Sequence, residues 1–370
     1  MPVPCNETAA PDVLSFMKAF TDIVCPTPKG LYCPPGDFYI DPTRPSPRAV
    51  VTHGHSDHAR AGHGSVLATK ETLAIMGARY GADFTPSQQA ARYGERHRIG
   101  DATVWLSPAG HVLGSAQAVI EAHGRRIVVS GDYKRRPDPT CAPFEPVPCD
   151  VFITEATFGL PVFRHPDDGK EVAKALHMLD VFPERCVLIG AYALGKAQRI
   201  ITLLRQGGYD APVYIHGAME KLCSLYESLG VELGDLRLTK DAVKGEMMSK
   251  IVIAPPSALG DRWSRRLPEP VNAFASGWMR VRARARQGGI ELPLVISDHA
   301  DWDELTGTLL ELSPQEVWVT HGREEPLVHW AGLNGLKARP LHLAGYDEED
   351  GEGPQGDNLK SAEDAAGEPA

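Results

Sequence analysis

The chain has 370 residues, 42% hydrophobic and 23% charged, enough for one large core or two smaller ones in a folded protein. Seven cysteines, an odd number with no Cys-x-x-Cys pair, argue against a disulfide scaffold or a structural zinc ribbon, and a formal net charge of −10 does not advertise a nucleic-acid binder. No apolar run reaches the roughly eighteen residues of a membrane span, and no basic patch leads into an apolar stretch at the start, so the expectation is no membrane, no secretory signal and a cytoplasmic location.

In chain order, short segments rich in β-branched and aromatic residues predict strands over 38–41, 49–52, 103–106, 118–121, 126–130 and 151–154. His123-Gly124 between two of them predicts a hairpin turn. The middle changes character. Helices are expected over 170–179, 195–204 and 218–229, alternating with strands over 186–189, 213–215 and 251–253, a pattern that implies a parallel α/β layer. A strand over 294–297, a helix over 301–312 and a strand over 317–320 follow. Residues 346–370 are acidic at first and then poor in apolar side chains, which predicts a disordered tail. Basic residues gather at Arg125-Arg126, at Lys134-Arg135-Arg136, over 262–266, and at Arg280, Arg282, Arg284 and Arg286. A local basic surface can attract a polyanion despite an acidic total.

The strongest chemical signal is His53-Gly-His55-Ser-Asp57-His58, four ligand-type side chains in six positions directly after an apolar strand. His53 and His55 alternate and can face one metal ion. Asp57 and His58 follow a turn and can face a second. Imidazole with carboxylate suits zinc, manganese or iron. Four residues cannot fill two ions, and further candidates recur in one context. His111, Asp132 and His321 each follow an apolar strand, so adjacent strands ending together would bring them to one rim. Asp132 is the natural bridge, because a carboxylate has two oxygens to share. Asp41, Glu155 and His299 occupy similar strand-end positions. Asp41 and Glu155 are candidates to hold the far nitrogens of ligating histidines, although Asp41 before Pro42 also suits a plain turn. His299 is left as a candidate general acid.

These motifs, in this order, resemble the metallo-β-lactamase fold, whose metal signature matches His53-x-His55-x-Asp57-His58, then His111, then Asp132. Ile153-Thr-Glu155-Ala-Thr-Phe-Gly159, Tyr192-Ala-Leu-Gly-Lys-Ala-Gln198, Ser276-Gly-Trp278, Ile296-Ser-Asp-His299 and Val319-Thr-His321-Gly322 resemble motifs of the β-CASP nucleases. Residues 31–41, 130–136 and 275–280 are most similar to a compact bacterial branch, the ligase-associated DNA exonucleases, also labelled mRNA 3′-end processing factor-like. The resemblance implies an αββα sandwich built from residues 1–158 and 291–345, with a smaller β-CASP-like α/β domain inserted over 159–290. It also implies a dinuclear nuclease that hydrolyses phosphodiesters by a metal-activated hydroxide, with two divalent ions, Zn2+ or else Mn2+, as cofactors. One ion would take His53, His55, His111 and Asp132, the other Asp57, His58, Asp132 and His321, with Asp57, Glu155 and His299 as the catalytic groups. The implied substrate is DNA in a repair setting beside a ligase and a helicase. RNA processing on the same fold is the alternative, and a thioester or lactone hydrolase or a non-catalytic scaffold are the more distant ones. Lys134, Arg135, Arg136, Lys196, Arg280, Arg282 and Arg284 are the candidate nucleic-acid contacts. Lys196 near a helix start suits a phosphate or a cap equally. The arginines share a face only if the segment is extended, and a solvated charged face is the other reading.

Overall fold

A computed structural model describes residues 19–243 and 245–343, and the acidic segment over 346–370 lies outside the described residues. The first sheet is assembled in chain order from β1 (Cys25–Thr27), β2 (Gly30–Cys33), β3 (Phe38–Ile40), β4 (Arg48–Val50), β5 (Ser65–Thr69) and β6 (Gln88–Ala91). Between β5 and β6 runs α1 (Lys70–Tyr80), opened by the Thr69 hydroxyl, which accepts from the backbone N–H of Thr72. Its Leu73 and Met76 cover Ala49, Val51, Val66 and Ala68 on the outer face of the sheet.

The second sheet begins with β7 (His97–Ile99), β8 (Ala102–Pro108), β9 (Ala116–Ala122), β10 (Arg125–Val129) and β11 (Val151–Ala156). The β9–β10 connection is the expected two-residue turn. His123 at φ 52° and Gly124 at φ 71° are both left-handed, the geometry whose twist matches a hairpin.

The chain then leaves this sheet. It runs through α2 (Asp168–Val181), β12 (Val187–Gly190), α3 (Lys196–Gln206), β13 (Val213–Ile215), α4 (Gly217–Ser228), β14 (Leu236–Leu238), β15 (Ile251–Ala254), β16 (Val271–Ala275), α5 (Arg282–Gln287) and β17 (Leu292–Leu294). The strands form a third, all-parallel sheet in the order β14-β13-β15-β12-β16-β17. Alternation along β12 sends Val187 and Ile189 to a face covered by α2, α3 and α4, and Leu188 to the opposite face with Leu259, Met279 and Ala285. A parallel sheet needs both faces covered, and this one has both.

The last elements, α6 (Trp302–Leu312), β18 (Glu316–Gly322), α7 (Glu324–Leu333) and β19 (Ala338–Pro340), return to the second sheet, whose order becomes β19-β18-β11-β10-β9-β8-β7. β18 lies parallel to β11, with Val151 opposite Glu316. The main core lies between the first two sheets, where Leu31, Val50 and Leu67 meet Leu106, Ile120, Ile127, Ile153 and Trp318. On the outer face of the second sheet, Val119, Val128, Phe152 and Val319 pack against Trp302, Leu305, Leu309 and Leu327. The layers therefore run helix, sheet, sheet, helix, and the third sheet is a separate α/β layer.

One expectation changes and one open alternative is settled. The strand expected over 294–297 stops at Leu294, because the backbone N–H of Val295 is taken by the Glu171 carboxylate and that of His299 by the Ser297 hydroxyl. The arginine-rich segment is helical in α5, so Arg282, Arg284 and Arg286 spread around an axis rather than lining one extended face.

Candidate metal centre

Strand ends deliver the side chains. Asp41 follows β3, the run from His53 to His58 follows β4, His111 follows β8 and Asp132 follows β10, while Glu155 and His321 lie within the last residues of β11 and β18. Two of these deliveries depend on a preceding glycine. Gly110 (φ +74°) leaves no room for a Cβ, which would stand 2.4 Å from the Lys134 carbonyl. Gly131 (φ +56°) is equally confined, at 2.8 Å from the Thr52 hydroxyl. Asp41 (φ 44°) and His321 (φ 57°) are left-handed without being glycine, a strain that only a well-determined surrounding sustains.

The side chains converge on one carboxylate. Asp132 Oδ2 lies 3.3 Å from His53 Nε2, 3.5 Å from His58 Nε2 and 3.7 Å from His111 Nε2. His55 Nδ1 is 2.9 Å from His111 Nε2, and Asp57 Oδ2 is 3.5 Å from His58 Nε2. The His321 ring stands 5.2 Å from the His58 ring, centre to centre. His53, His55, His111 and Asp132 each bring a ligand atom within 4.8 Å of the others, and so do His53, Asp57 and His58. A third group at the same spacing is Asp132, Glu155 and His299, which brings the expected acid and its carboxylate up to Asp132.

The far sides of His58, His111, His55 and His299 meet fixed partners. Asp41 Oδ2 accepts from His58 Nδ1 at 2.8 Å, and the same carboxylate accepts from the Thr52 backbone N–H at 2.7 Å and the Thr52 hydroxyl at 2.5 Å. The Asp298 carbonyl is 2.9 Å from His111 Nδ1, and the Leu194 carbonyl is 3.4 Å from His55 Nε2. Glu155 Oε2 is 3.0 Å from His299 Nδ1, while its Oε1 accepts from the Tyr133 backbone N–H at 2.7 Å. A ring nitrogen spent on a fixed acceptor leaves the opposite nitrogen with its lone pair facing inward. The inward His53 Nε2 is buried and meets no partner with hydrogen-bond geometry.

Electrostatics point the same way. Burial, then the neighbouring charge on His58, lowers His53 to about 4. Burial likewise takes His321 down to about 3 and His111 well below its ordinary value. Burial also opposes the charge on His58, but the carboxylates of Asp132, Asp57 and Asp41 overcome it and raise that imidazole to about 10. Burial works against ionised Asp132 too, yet His58 and His53 hold its carboxyl well below the usual range. The cluster thus keeps several neutral imidazoles beside a concentration of carboxylates, with one proton on His58 as the balancing cation. This donor set fits divalent ions, whose binding would displace that proton.

The expected nucleic-acid contacts divide. Lys134 and Lys196 are fully buried and cannot meet a strand at the surface: Lys134 Nζ is 2.5 Å from Asp138 Oδ2, and Lys196 Nζ is 3.1 Å from Asp298 Oδ2. Arg135 pairs with Glu311 at 2.7 Å and Arg136 with Glu304 at 3.1 Å, which ties both to α6. Arg280, Arg282, Arg284 and Arg286 are exposed, as are Arg262, Arg265 and Arg266. Leu259, Leu267, Met279 and Ala285 share one apolar cluster, so these arginines rise from the same layer over the third sheet. Arg284 stacks over the Trp278 ring at 4.2 Å.

Sequence reasoning passed over Thr52, Asp298 and Arg199. Thr52 and Asp298 each sit next to a singled-out histidine, the one readable sign of an orienting role. Arg199 is buried in α3 together with Lys196 and Gln198, a polar face where helical spacing alone would place a surface.

No family model matches the chain. It is 30% identical over 316 residues to a protein named probable DNA ligase from Opitutus terrae, a match covering 84% of this chain and 30% of that protein. It is 26% identical to Ribonuclease TTHA0252 of Thermus thermophilus, covering 81% of this chain and 86% of the relative. To cleavage and polyadenylation specificity factor 73 of Drosophila melanogaster it is 32% identical, over 59% of this chain and 39% of the relative. The chain thus spans under a third of the ligase-named relative and about two-fifths of the cleavage factor. Among the described residues, no helix is long and apolar enough to cross a membrane.

Proposed function

The chain belongs to the β-CASP group of metallo-β-lactamase-fold proteins, and from that membership we propose that it is a dinuclear metal-dependent nuclease that trims DNA ends. The observation that carries the reading is the convergence of His53, His58 and His111 on Asp132 Oδ2, with His299 brought to the same carboxylate on the Glu155 side. His53, His55, His111 and Asp132 would hold one ion, and Asp57, His58, Asp132 and His321 the other. Two divalent ions, Zn2+ in the first instance and Mn2+ as the alternative, would supply an ionisable water and neutralise phosphate charge. The residues do the rest. Asp41 and the Asp298 carbonyl fix the ring orientations of His58 and His111. His299, held at Nδ1 by Glu155, would be the group that gives a proton to the departing ribose or deoxyribose oxygen. Asp57, less buried than the histidines around it, stands where the scissile phosphate would enter.

We further read residues 159–290 as a β-CASP-like insertion in a sandwich of 1–158 and 291–345, with a strand crossing its arginine layer. Arg262, Arg265, Arg266, Arg280, Arg282, Arg284 and Arg286 are all exposed. DNA as substrate, with a ligase as functional associate, draws on the relative named probable DNA ligase, while a helicase associate rests on the motif resemblance alone. An RNA substrate is the second reading, favoured by the relatives named ribonuclease and cleavage factor. Digestion of end-labelled single- and double-stranded DNA and RNA with Mn2+ or Zn2+ separates them, with a thioester as control. Stepwise shortening of DNA is the expected result. Faster cleavage of RNA would replace the first reading with the second, and thioester turnover without cleavage of either nucleic acid would remove both.

A further inference from the structure

Behind the histidines lies a cluster of six charged side chains with almost no access to water. Three cations, Lys134, Lys196 and Arg199, face three carboxylates, Asp138, Asp168 and Asp298. Arg199 Nη1 is 3.0 Å from Asp298 Oδ1, Lys196 Nζ is 3.1 Å from Asp298 Oδ2, and Arg199 Nε is 3.3 Å from Asp138 Oδ2. Arg199 also donates to the Ser297 carbonyl and to Asp168. Taking six charges out of water is expensive, and well-packed apolar side chains of the same volume would stabilise the fold as well or better. What apolar packing cannot do is fix the direction of a polar group.

The connections form a closed circuit through one metal-facing histidine. His111 Nδ1 meets the Asp298 carbonyl, and the Asp298 carboxylate is gripped by Lys196 and Arg199. Arg199 reaches Asp138, and Asp138 holds Lys134. The Lys134 backbone N–H donates to the Ala109 carbonyl at 3.1 Å, returning to the segment that carries His111. A second thread leaves the start of α3, where the Leu194 carbonyl faces His55 Nε2. Two histidines on the sandwich are thereby oriented from a helix of the third sheet.

We propose that Asp298, clamped by Lys196 and Arg199, is a positioning residue of the metal centre that sets the tautomer and tilt of His111. The proposal rests on the metal-centre reading. The clamp holds the carbonyl of residue 298 against His111 Nδ1, so the ring proton stays there and Nε2 remains a donor to metal. The clamp also fixes the backbone that leads into His299, the next residue.

The test measures Mn2+ and Zn2+ affinity by chelator competition on the full chain, together with thermal unfolding. Asp298→Asn keeps the backbone carbonyl and the shape but loses the grip. Because that change leaves a surplus positive charge and risks misfolding, the paired variant Lys196→Met/Asp298→Asn removes one cation with one carboxylate and keeps the remainder balanced. Leu204→Ala, on the apolar face of α3, is the control for general destabilisation. The expected result is a roughly 10–100-fold weaker metal Kd in both Asp298 variants and an unchanged Kd in Leu204→Ala. A Kd within twofold of the parent in the folded double variant overturns the proposal and leaves the metal centre standing. Equal weakening by Leu204→Ala makes the cluster merely structural and overturns it as well. A parent protein that binds neither ion removes the metal centre, and the proposal with it.

Discussion

Asp41→Asn changes one oxygen to nitrogen, and its consequence can be followed atom by atom. The Asp41 carboxylate accepts from the Thr52 N–H at 2.7 Å, the Thr52 hydroxyl at 2.5 Å and His58 Nδ1 at 2.8 Å. Asparagine tolerates the left-handed backbone at φ 44°, so the fold has no steric objection. It has a single acceptor oxygen, however. With that oxygen on the Thr52 N–H, the new NH2 faces the Thr52 hydroxyl and His58. The hydroxyl can rotate and accept. In its neutral, metal-binding form His58 can accept only by moving its ring proton from Nδ1 to Nε2, the nitrogen that faces Asp132 and Asp57. Losing the equivalent of one to two charge-assisted hydrogen bonds costs about 1.5–6 kcal/mol of stability, at roughly 1.5–3 kcal/mol each. Protonating the inward nitrogen weakens metal binding by roughly 10–100-fold, about 1.4–2.8 kcal/mol. Urea unfolding in EDTA reads the first quantity and chelator competition with Mn2+ reads the second. Unchanged metal affinity in the folded variant would show that Asp41 closes a turn at Pro42 and does not orient His58.

Other outcomes follow from the same geometry. His299→Ala should lower nuclease turnover by roughly 10²–10⁴ with metal content unchanged; lost metal would instead make His299 a ligand beside Asp132. Charge reversal at Arg265, Arg280 and Arg282 should weaken DNA binding and flatten its salt dependence, by about 0.7 in the log–log slope per lost single-strand phosphate contact, and an unaltered slope would mean that these arginines are only solvated. His165 is taken down to about 2 by burial first and by Arg136 next, so it stays neutral in the folded chain while the unfolded chain protonates near the ordinary 6.5. Its contribution is therefore whole above that ordinary value and drains away as pH falls toward 2. Denaturant midpoints should drop between pH 6.5 and 4, and His165→Gln should remove about one proton from that slope; parallel curves for parent and variant would contradict the reading.

The convergence of the candidate ligands was legible because their chemistry and their position coincide. A strand must end where its apolar run ends, and His53, His111 and Asp132 each stand just beyond such an end. Composition could not separate Arg136, tied into Glu304, from Arg282, which faces water, because both read as basic runs. Lys134 and Lys196 misled for a related reason: lysine usually means surface, and only the three-dimensional arrangement supplies Asp138 and Asp298 as partners. The Arg284 region was ambiguous between strand and helix because six residues are too few for periodicity to decide. Short strands with weak patterns, such as Gln88–Ala91 and Leu236–Leu238, form by pairing with neighbours distant in the sequence, and a linear reading cannot see those neighbours.

The parallel pairing of Val151 with Glu316 has a consequence for the order of events on the ribosome. His53 through Asp132 are synthesised early, on strands that can pair at once with near neighbours. The strand that brings His321 has to wait while the whole third sheet is made, and it then closes a contact of very high sequence separation, the slow kind in folding. His299 arrives in the same late stretch. A nascent or truncated chain therefore carries six of the seven proposed ligands but lacks His321 and the proposed proton donor. Under the proposed function, cutting would be withheld until translation is nearly complete, a useful property in a protein made close to the polynucleotides it would otherwise degrade.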